Sequence, residues 1–320
     1  MPVDLAASAF AATLLDFQAA ARRVAKDAII TPALPLALPD RTLFLKAECL
    51  QPLGSFKIRA GANAISIASP DQLADGVITA SAGNFGQGIA QAAIARGLPV
   101  RVFVPDSSAK VKVDALRDMG AVVEIVTFDD WWQIIMTRET GAKGFFIHPV
   151  AELAVVIGNG TIGLEIAQQV PDVDTVVVPV GGGGLISGIA LALKAAGRNV
   201  RIVACEIESA TPLASAKAAG RPVEVPRGKS WVDGIGSTSV LSDMWPLLDH
   251  LVSEVIVVSH EEAADALRLL AKRSHLVVEG AGAVAVAAAM HPSLAGRKVV
   301  SVVSGGNIDA NTYAQVLTGT

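Results

Sequence analysis

The chain has 320 residues, 52% of them apolar and 18% charged, and a net charge of −4. This balance excludes a disordered chain, and the lack of any basic run longer than Arg22-Arg23 excludes the electrostatic footprint of a nucleic-acid binder. Two cysteines, Cys49 and Cys205, cannot build a disulfide framework and lie in no Cys-x-x-Cys pair, so both are expected to be small buried apolar groups. The longest apolar runs, such as 281–290, are too short for a membrane span, and Met1-Pro2-Val3-Asp4 carries an acid where a secretory signal needs positive charge. A soluble cytoplasmic protein of about two domains, acting on a small molecule and without nucleic-acid or membrane partners, is expected.

In chain order, a helical pattern over 10–25 precedes a strand-like run at 42–47 and a helix over 56–68. Strands are predicted at 77–80, 100–104, 122–126 and 144–147, with helices at 85–96 and 109–119. A helix at 161–169 leads into strands at 175–180, 200–205, 254–258 and 299–303, interleaved with helices at 185–196, 261–272 and 282–290. The strands are apolar throughout rather than alternating, as in sheets covered on both faces. The class is therefore α/β, with mostly parallel sheets flanked by helices. Because 77–147 is a self-contained βαβαβ run, a small domain at 69–148 is expected beside a large one made of 1–68 and 149–320. The Pro- and Gly-rich stretch 221–237 reads as a long loop near the cleft between them.

Four strand-to-helix turns carry candidate chemistry. Lys57, in Gly54-Ser55-Phe56-Lys57-Ile58-Arg59, opens a helix, where the helix dipole and burial both disfavour the ammonium and leave the amine that a Schiff-base lysine needs. Gly181-Gly182-Gly183-Gly184 follows the apolar strand ending Val178-Pro179-Val180 and lets backbone N–H groups approach an anion at a helix N-terminus. A dinucleotide fingerprint is excluded, because it needs glycine at Ile186 or Ser187, and a nucleotide phosphate loop ending at Gly228-Lys229-Ser230 would need glycine at Val223. Ser81-Ala82-Gly83-Asn84-Phe85-Gly86-Gln87-Gly88 and Ser304-Gly305-Gly306-Asn307 repeat the arrangement, with polar groups able to meet a ligand or to cap the next helix. In parallel α/β sheets such turns gather at one edge, where ligands bind.

In order and spacing these four motifs resemble the fold type II pyridoxal-phosphate enzymes, in the threonine/serine dehydratase and serine racemase branch, over nearly the whole chain. The resemblance implies that Lys57 carries pyridoxal 5'-phosphate as a Schiff base, with Phe56 beside it, and that Gly181, Gly182, Gly183 and Gly184 bind its phosphate. It places Asn84 at the ring hydroxyl, Ser304 at the pyridine nitrogen and Glu279 near the ring. Ser81, Ala82, Gly83, Asn84 and Gln87 would bind the substrate carboxylate. An alcohol at the ring nitrogen makes a moderated electron sink, suited to expelling a β-leaving group. The implied activity is conversion of L-threonine or L-serine to a 2-oxo acid and ammonia, with Lys57 also acting as the Cα base. The same chemistry on 3-hydroxyaspartate or an ectoine-derived amino acid, serine racemisation, and binding without catalysis are the alternatives. A homodimer is implied.

Several positions depart from the family pattern. Ala82 stands where the racemase pattern places a serine as acid/base on the opposite cofactor face, which implies a one-base enzyme with little racemisation. Phe85 replaces the histidine usual after Asn84 and makes the pocket wall more apolar. For a divalent cation, Glu206 fits a metal-activated relative, but Ala210 and Pro212 bring no carboxylate after it, and Glu208 is the substitute. Asp233-Gly234 matches a segment near the active site. His148, His250, His260, His275 and His291 pair at no ligand or triad spacing, and Trp131-Trp132 reads as an apolar patch. The chain leaves no room after Ser304 for a regulatory domain, so inhibition by isoleucine is not expected.

Overall fold

The computed structural model describes residues 4–319 except 82 and 109. Its strands form two sheets. The six-stranded sheet runs β1 (Ala33–Leu38), β2 (Arg41–Lys46), β10 (Lys298–Val302), β7 (Thr175–Pro179), β8 (Arg201–Ile207) and β9 (Glu254–Val258). The four-stranded sheet runs β5 (Val122–Val126), β4 (Val100–Pro105), β3 (Val77–Ala80) and β6 (Phe145–Phe146), all within the expected 69–148 segment. Every pairing among these strands is parallel except β1 with β2.

Continuous apolar runs become strands here because both faces are covered. All five residues of β7 are buried, and its neighbours divide between two cores: Val176 and Val178 pack with Ile166 and Ile189, while Val177 packs with Val203 and Val284 on the other side. The antiparallel β1 is not legible in the sequence, since Pro35 removes a backbone donor; its place at the sheet edge is what tolerates that loss.

The helices differ from expectation mainly at their ends. The helix expected at 10–25 is Leu14–Val24, preceded by a separate helix Leu5–Phe10; it starts late because Asp16 accepts the Thr13 backbone N–H at 2.8 Å and caps it. The helix expected at 161–169 begins at Leu153; its residues 153–158 are apolar and, beyond Leu153, buried, so they carry no amphipathic signal. Helices Phe128–Thr137, Pro212–Ala219 and Trp245–Leu251 had no counterpart in the sequence reading.

Candidate active site

Strand order brings three of the four turns together. β10 lies between β2 and β7, with Val302 opposite Lys46 and Ser301 opposite Val177, so the Ser304 turn emerges between the Lys57 turn and the glycine loop. Backbone hydrogen bonds stitch it to its neighbours: Phe56 N–H donates to Ser304 O (3.1 Å), Gly306 N–H to Gly54 O (2.8 Å), and Glu279 N–H to Gly305 O (2.9 Å). The fourth turn arrives through helix packing. Helix Asn84–Ile94 lies on helix Lys57–Ile67 at backbone contact, where a Cβ on Gly88 would sit 2.8 Å from Lys57 O and one on Gly61 2.8 Å from Gly88 O.

The turns enclose a cavity of about 180 Å³. Phe56, Lys57, Ser81, Gly83, Asn84, Gly181 to Gly184, Glu279 and Ser304 all line it. Gln87 is half-buried one turn into its helix and is not among the lining residues; Ala82 lies outside the described residues. Gly234, of the expected Asp233-Gly234 segment, lines the cavity, and Asp233 pairs with Lys112 of helix Lys110–Asp118.

Lys57 is the first residue of its helix, is half-buried and lines this cavity. Burial lowers its ammonium to about 8, against a smaller opposing pull from Glu279. Its Nζ lies 4.8 Å from the Phe56 ring centre and 5.6 Å from that of Phe85, so two aromatic faces flank it. Glu279 is 3% exposed, and burial raises its carboxyl to about 7. Although it starts helix Gly280–Ala289, its side chain makes no capping hydrogen bond. It accepts instead from Asn84 Nδ2, at 2.9 and 3.2 Å. The Asn84 oxygen accepts from Asn307 Nδ2 at 2.9 Å, and that nitrogen also donates to Leu53 O at 2.8 Å. Asn84 is thereby fixed at both ends of its amide.

The glycine loop is a cradle because side chains have no room there. A Cβ would lie 3.0 Å from Gly234 O at Gly181, 2.4 Å from Val150 at Gly182 and 2.8 Å from Leu248 at Gly183, where φ is also +94°. Backbone N–H groups at the start of helix Gly184–Ala195 therefore face the cavity bare. Ser304 is 2% exposed and its Oγ is buried without a partner, so the fold holds a hydroxyl in the cavity wall for a group it does not itself supply. An anion cradle, a depressed lysine amine and an unpaired neutral hydroxyl fit the phosphate, carbonyl and ring nitrogen of pyridoxal phosphate.

The candidate metal positions do not converge. Glu206 is 1% exposed, and its oxygens accept from Leu213 N–H (2.8 Å) and Ala214 N–H (2.9 Å) at the start of helix Pro212–Ala219. Burial nevertheless raises it to about 7. Ala210 offers no side-chain ligand and is buried in a tight turn, its N–H bonded to Ile207 O, while Glu208 is held by His260. Among the described residues no group of three or more His, Cys, Asp or Glu side chains could hold a metal ion. Cys49 and Cys205 are buried, and burial pushes the Cys49 thiol up to about 12. His148 is buried and depressed to about 4; the neutral ring accepts Val150 and Ala151 N–H groups on Nδ1 and shapes the turn that leads to the cavity wall.

Three contributors escaped the sequence reading: Asn159, which lines the cavity from the middle of helix Leu153–Gln169, Val150, which packs on Gly182, and Asn307 as the partner of Asn84. A polar residue between two glycines in an apolar helix, Gly158-Asn159-Gly160, was the available signal.

Fold and site together define an α/β enzyme built to hold a phosphate-bearing carbonyl cofactor against a lysine. The chain belongs to the pyridoxal-phosphate dependent enzyme family, whose model matches residues 26–305. It is 41% identical over 280 residues to an L-threonine ammonia-lyase of Geobacter sulfurreducens, covering 86% of this chain and 69% of that one. It is 34% identical over 320 residues to a serine racemase of Oryza sativa, covering 94% and 92% respectively. The maize serine racemase structure superposes with a TM-score of 0.85 at 32% identity, covering 97% of this chain and 98% of that one.

Proposed function

We propose that the protein is a pyridoxal-phosphate dependent ammonia-lyase, converting L-threonine and L-serine to 2-oxobutanoate and pyruvate with release of ammonia. The observation that carries this reading is Lys57, whose amine is lowered to about 8 inside a cavity shared with the glycine cradle and the unpartnered Ser304 hydroxyl. Relatives named L-threonine ammonia-lyase and serine racemase support the substrate class.

When bound, pyridoxal phosphate supplies a carbonyl that condenses with amines and a sink for electrons released at the substrate Cα. Gly181 to Gly184 would hold its phosphate, Ser304 its ring nitrogen, and Asn84, fixed by Glu279 and Asn307, its ring hydroxyl. Lys57 would carry it at rest, and its free amine takes the Cα proton once substrate is in place. Ser304 cannot deliver a full proton to the ring nitrogen, which keeps the sink moderate and favours departure of the β-hydroxyl. Ser81 and Gly83, which line the cavity, would bind the substrate carboxylate. Alanine at 82 has no proton to give from the opposite face, so racemisation is slow.

Lys57 and Glu279 are the charged residues among those lining the cavity. Lys57 is committed to the cofactor and the Cα proton and Glu279 is itself an acid, so neither would hold a second substrate carboxylate, which favours the uncharged side chains of threonine and serine over 3-hydroxyaspartate. A homodimer, and domain boundaries near 69 and 148, belong to the same reading; light scattering and limited proteolysis check them.

The test is a panel of β-hydroxy amino acids assayed for 2-oxo acid with the cofactor-loaded protein. L-Threonine and L-serine turn over, and Lys57→Ala abolishes both turnover and the visible absorption of the bound cofactor. Protein saturated with cofactor that shows no visible band, or a panel in which only 3-hydroxyaspartate reacts, overturns the reading.

A further inference from the structure

Asn159 interrupts the apolar surface of helix Leu153–Gln169 and is 1% exposed. Backbone contact with helix Gly184–Ala195 fixes its position. A Cβ on Gly188 would lie 2.8 Å from Gly160 N and 3.2 Å from the Asn159 carbonyl carbon, and one on Gly160 would lie 2.8 Å from Gly188 O. Helices this close leave Asn159 Nδ2 3.6 Å from the point a Cβ on Gly184 would occupy, at the first residue of the helix behind the glycine loop. The residue lines the cavity, yet its Oδ1 is buried without a hydrogen-bond partner. A buried amide oxygen left unpaired costs stability. A cavity ligand that accepts from the Nδ2 end accounts for an amide at this place in the helix. Nδ2 is the Asn159 atom beside the helix start, so the group offers a donor to whatever sits at the helix N-terminus.

We infer that Asn159 is a further anchor for the cofactor phosphate, donating from its side-chain amide beside the backbone N–H groups of the glycine loop. This rests on the pyridoxal-phosphate reading above. Phosphate oxygens accept hydrogen bonds, so Nδ2 is the atom presented to them. The helix start supplies the field, and the amide adds a directed donor.

The test uses the full-length protein stripped of cofactor, with Asn159→Leu and Asn159→Asp beside the unaltered chain. Dissociation constants are measured for pyridoxal phosphate, for pyridoxal without phosphate, and for inorganic phosphate by phosphorus NMR. Asn159→Leu weakens both phosphate-bearing ligands by about tenfold or more and leaves pyridoxal unchanged. Its melting temperature without ligand stays at or above that of the unaltered protein, because an unpaired amide has gone. Asn159→Asp weakens phosphate binding further through charge repulsion, and it serves as the probe if the leucine variant does not fold. Variants that bind phosphate like the unaltered chain, or that lose pyridoxal in parallel, overturn the assignment. An unaltered chain that binds no pyridoxal phosphate overturns the function itself, a different outcome.

Discussion

Lys57 illustrates how one residue sets stability against function. Its folded value of about 8 lies below the ordinary 10.5, so the folded chain holds its proton less tightly than the unfolded chain does. Without cofactor the resulting destabilisation is full below about pH 8 and vanishes as pH rises to 10.5. Lys57→Met in the cofactor-free protein is expected to raise unfolding free energy by up to about 3 kcal/mol at neutral pH, with the gain fading over that interval in urea titrations. If the gain is the same at high and neutral pH, the lysine is not the titrating cause. Ala82→Ser restores a hydroxyl at the position the racemase pattern uses, and should raise L-to-D conversion of serine relative to elimination, read by chiral chromatography. An unchanged ratio argues against the one-base account. At this scale Lys57 and Ser304 were legible because a turn motif announces them. The Glu279–Asn84 pair was not, since 195 positions separate the two residues and only folding brings them within 2.9 Å.

At the scale of elements, the site depends on helices brought to backbone contact. Helix Lys57–Ile67 meets helix Asn84–Ile94 through Gly61 and Gly88, and meets helix Leu153–Gln169 through Gly158, where a Cβ would lie 2.8 Å from Arg59 O. Gly88→Ala must push the two turn-bearing helices apart, because the obstructing atom is the Lys57 carbonyl oxygen and not a movable side chain. We expect a loss of about 1–3 kcal/mol in urea unfolding together with weaker cofactor binding. Unchanged stability and affinity would show that the contact relaxes without cost. Apolar strands were readable from their runs, whereas the start of the Leu153 helix was not, because a segment buried on every side has no period to read.

Across the whole molecule, four buried charges tie the sheet to the helix that carries Lys57. Arg59 Nε donates to Glu48 at 2.8 Å and its Nη1 to Glu165 at 2.6 Å, while Lys46 of β2 also pairs with Glu165. Arg59 is 1% exposed, Lys46 and Glu48 are fully buried and the Glu165 side chain is 11% exposed, so the two cations and two carboxylates neutralise one another largely away from water. Arg59→Met leaves the carboxylates short of a cation and should cost about 3–5 kcal/mol. Adding Glu48→Gln should return part of it, and a double-mutant cycle measures the coupling. Additive losses would mean that the pair does not act as a unit. Nothing in the sequence pairs Arg59 with Glu165, since their contact requires the helices to cross.

The sequence by itself determined the α/β class, the two groups of strands and the four turns that carry Lys57, Asn84, the glycine loop and Ser304, because strand burial and turn chemistry are local properties written in consecutive residues. The tertiary structure decided what those turns face. Strand order set the Ser304 turn between its neighbours, close glycine contacts brought Asn159 against the cradle, and burial lowered the amine of Lys57 and, with the charge of Asp233, raised the carboxyl of Glu279. Those effects depend on distance and desolvation between residues far apart in the chain, and they exist only once the helices and sheets have packed.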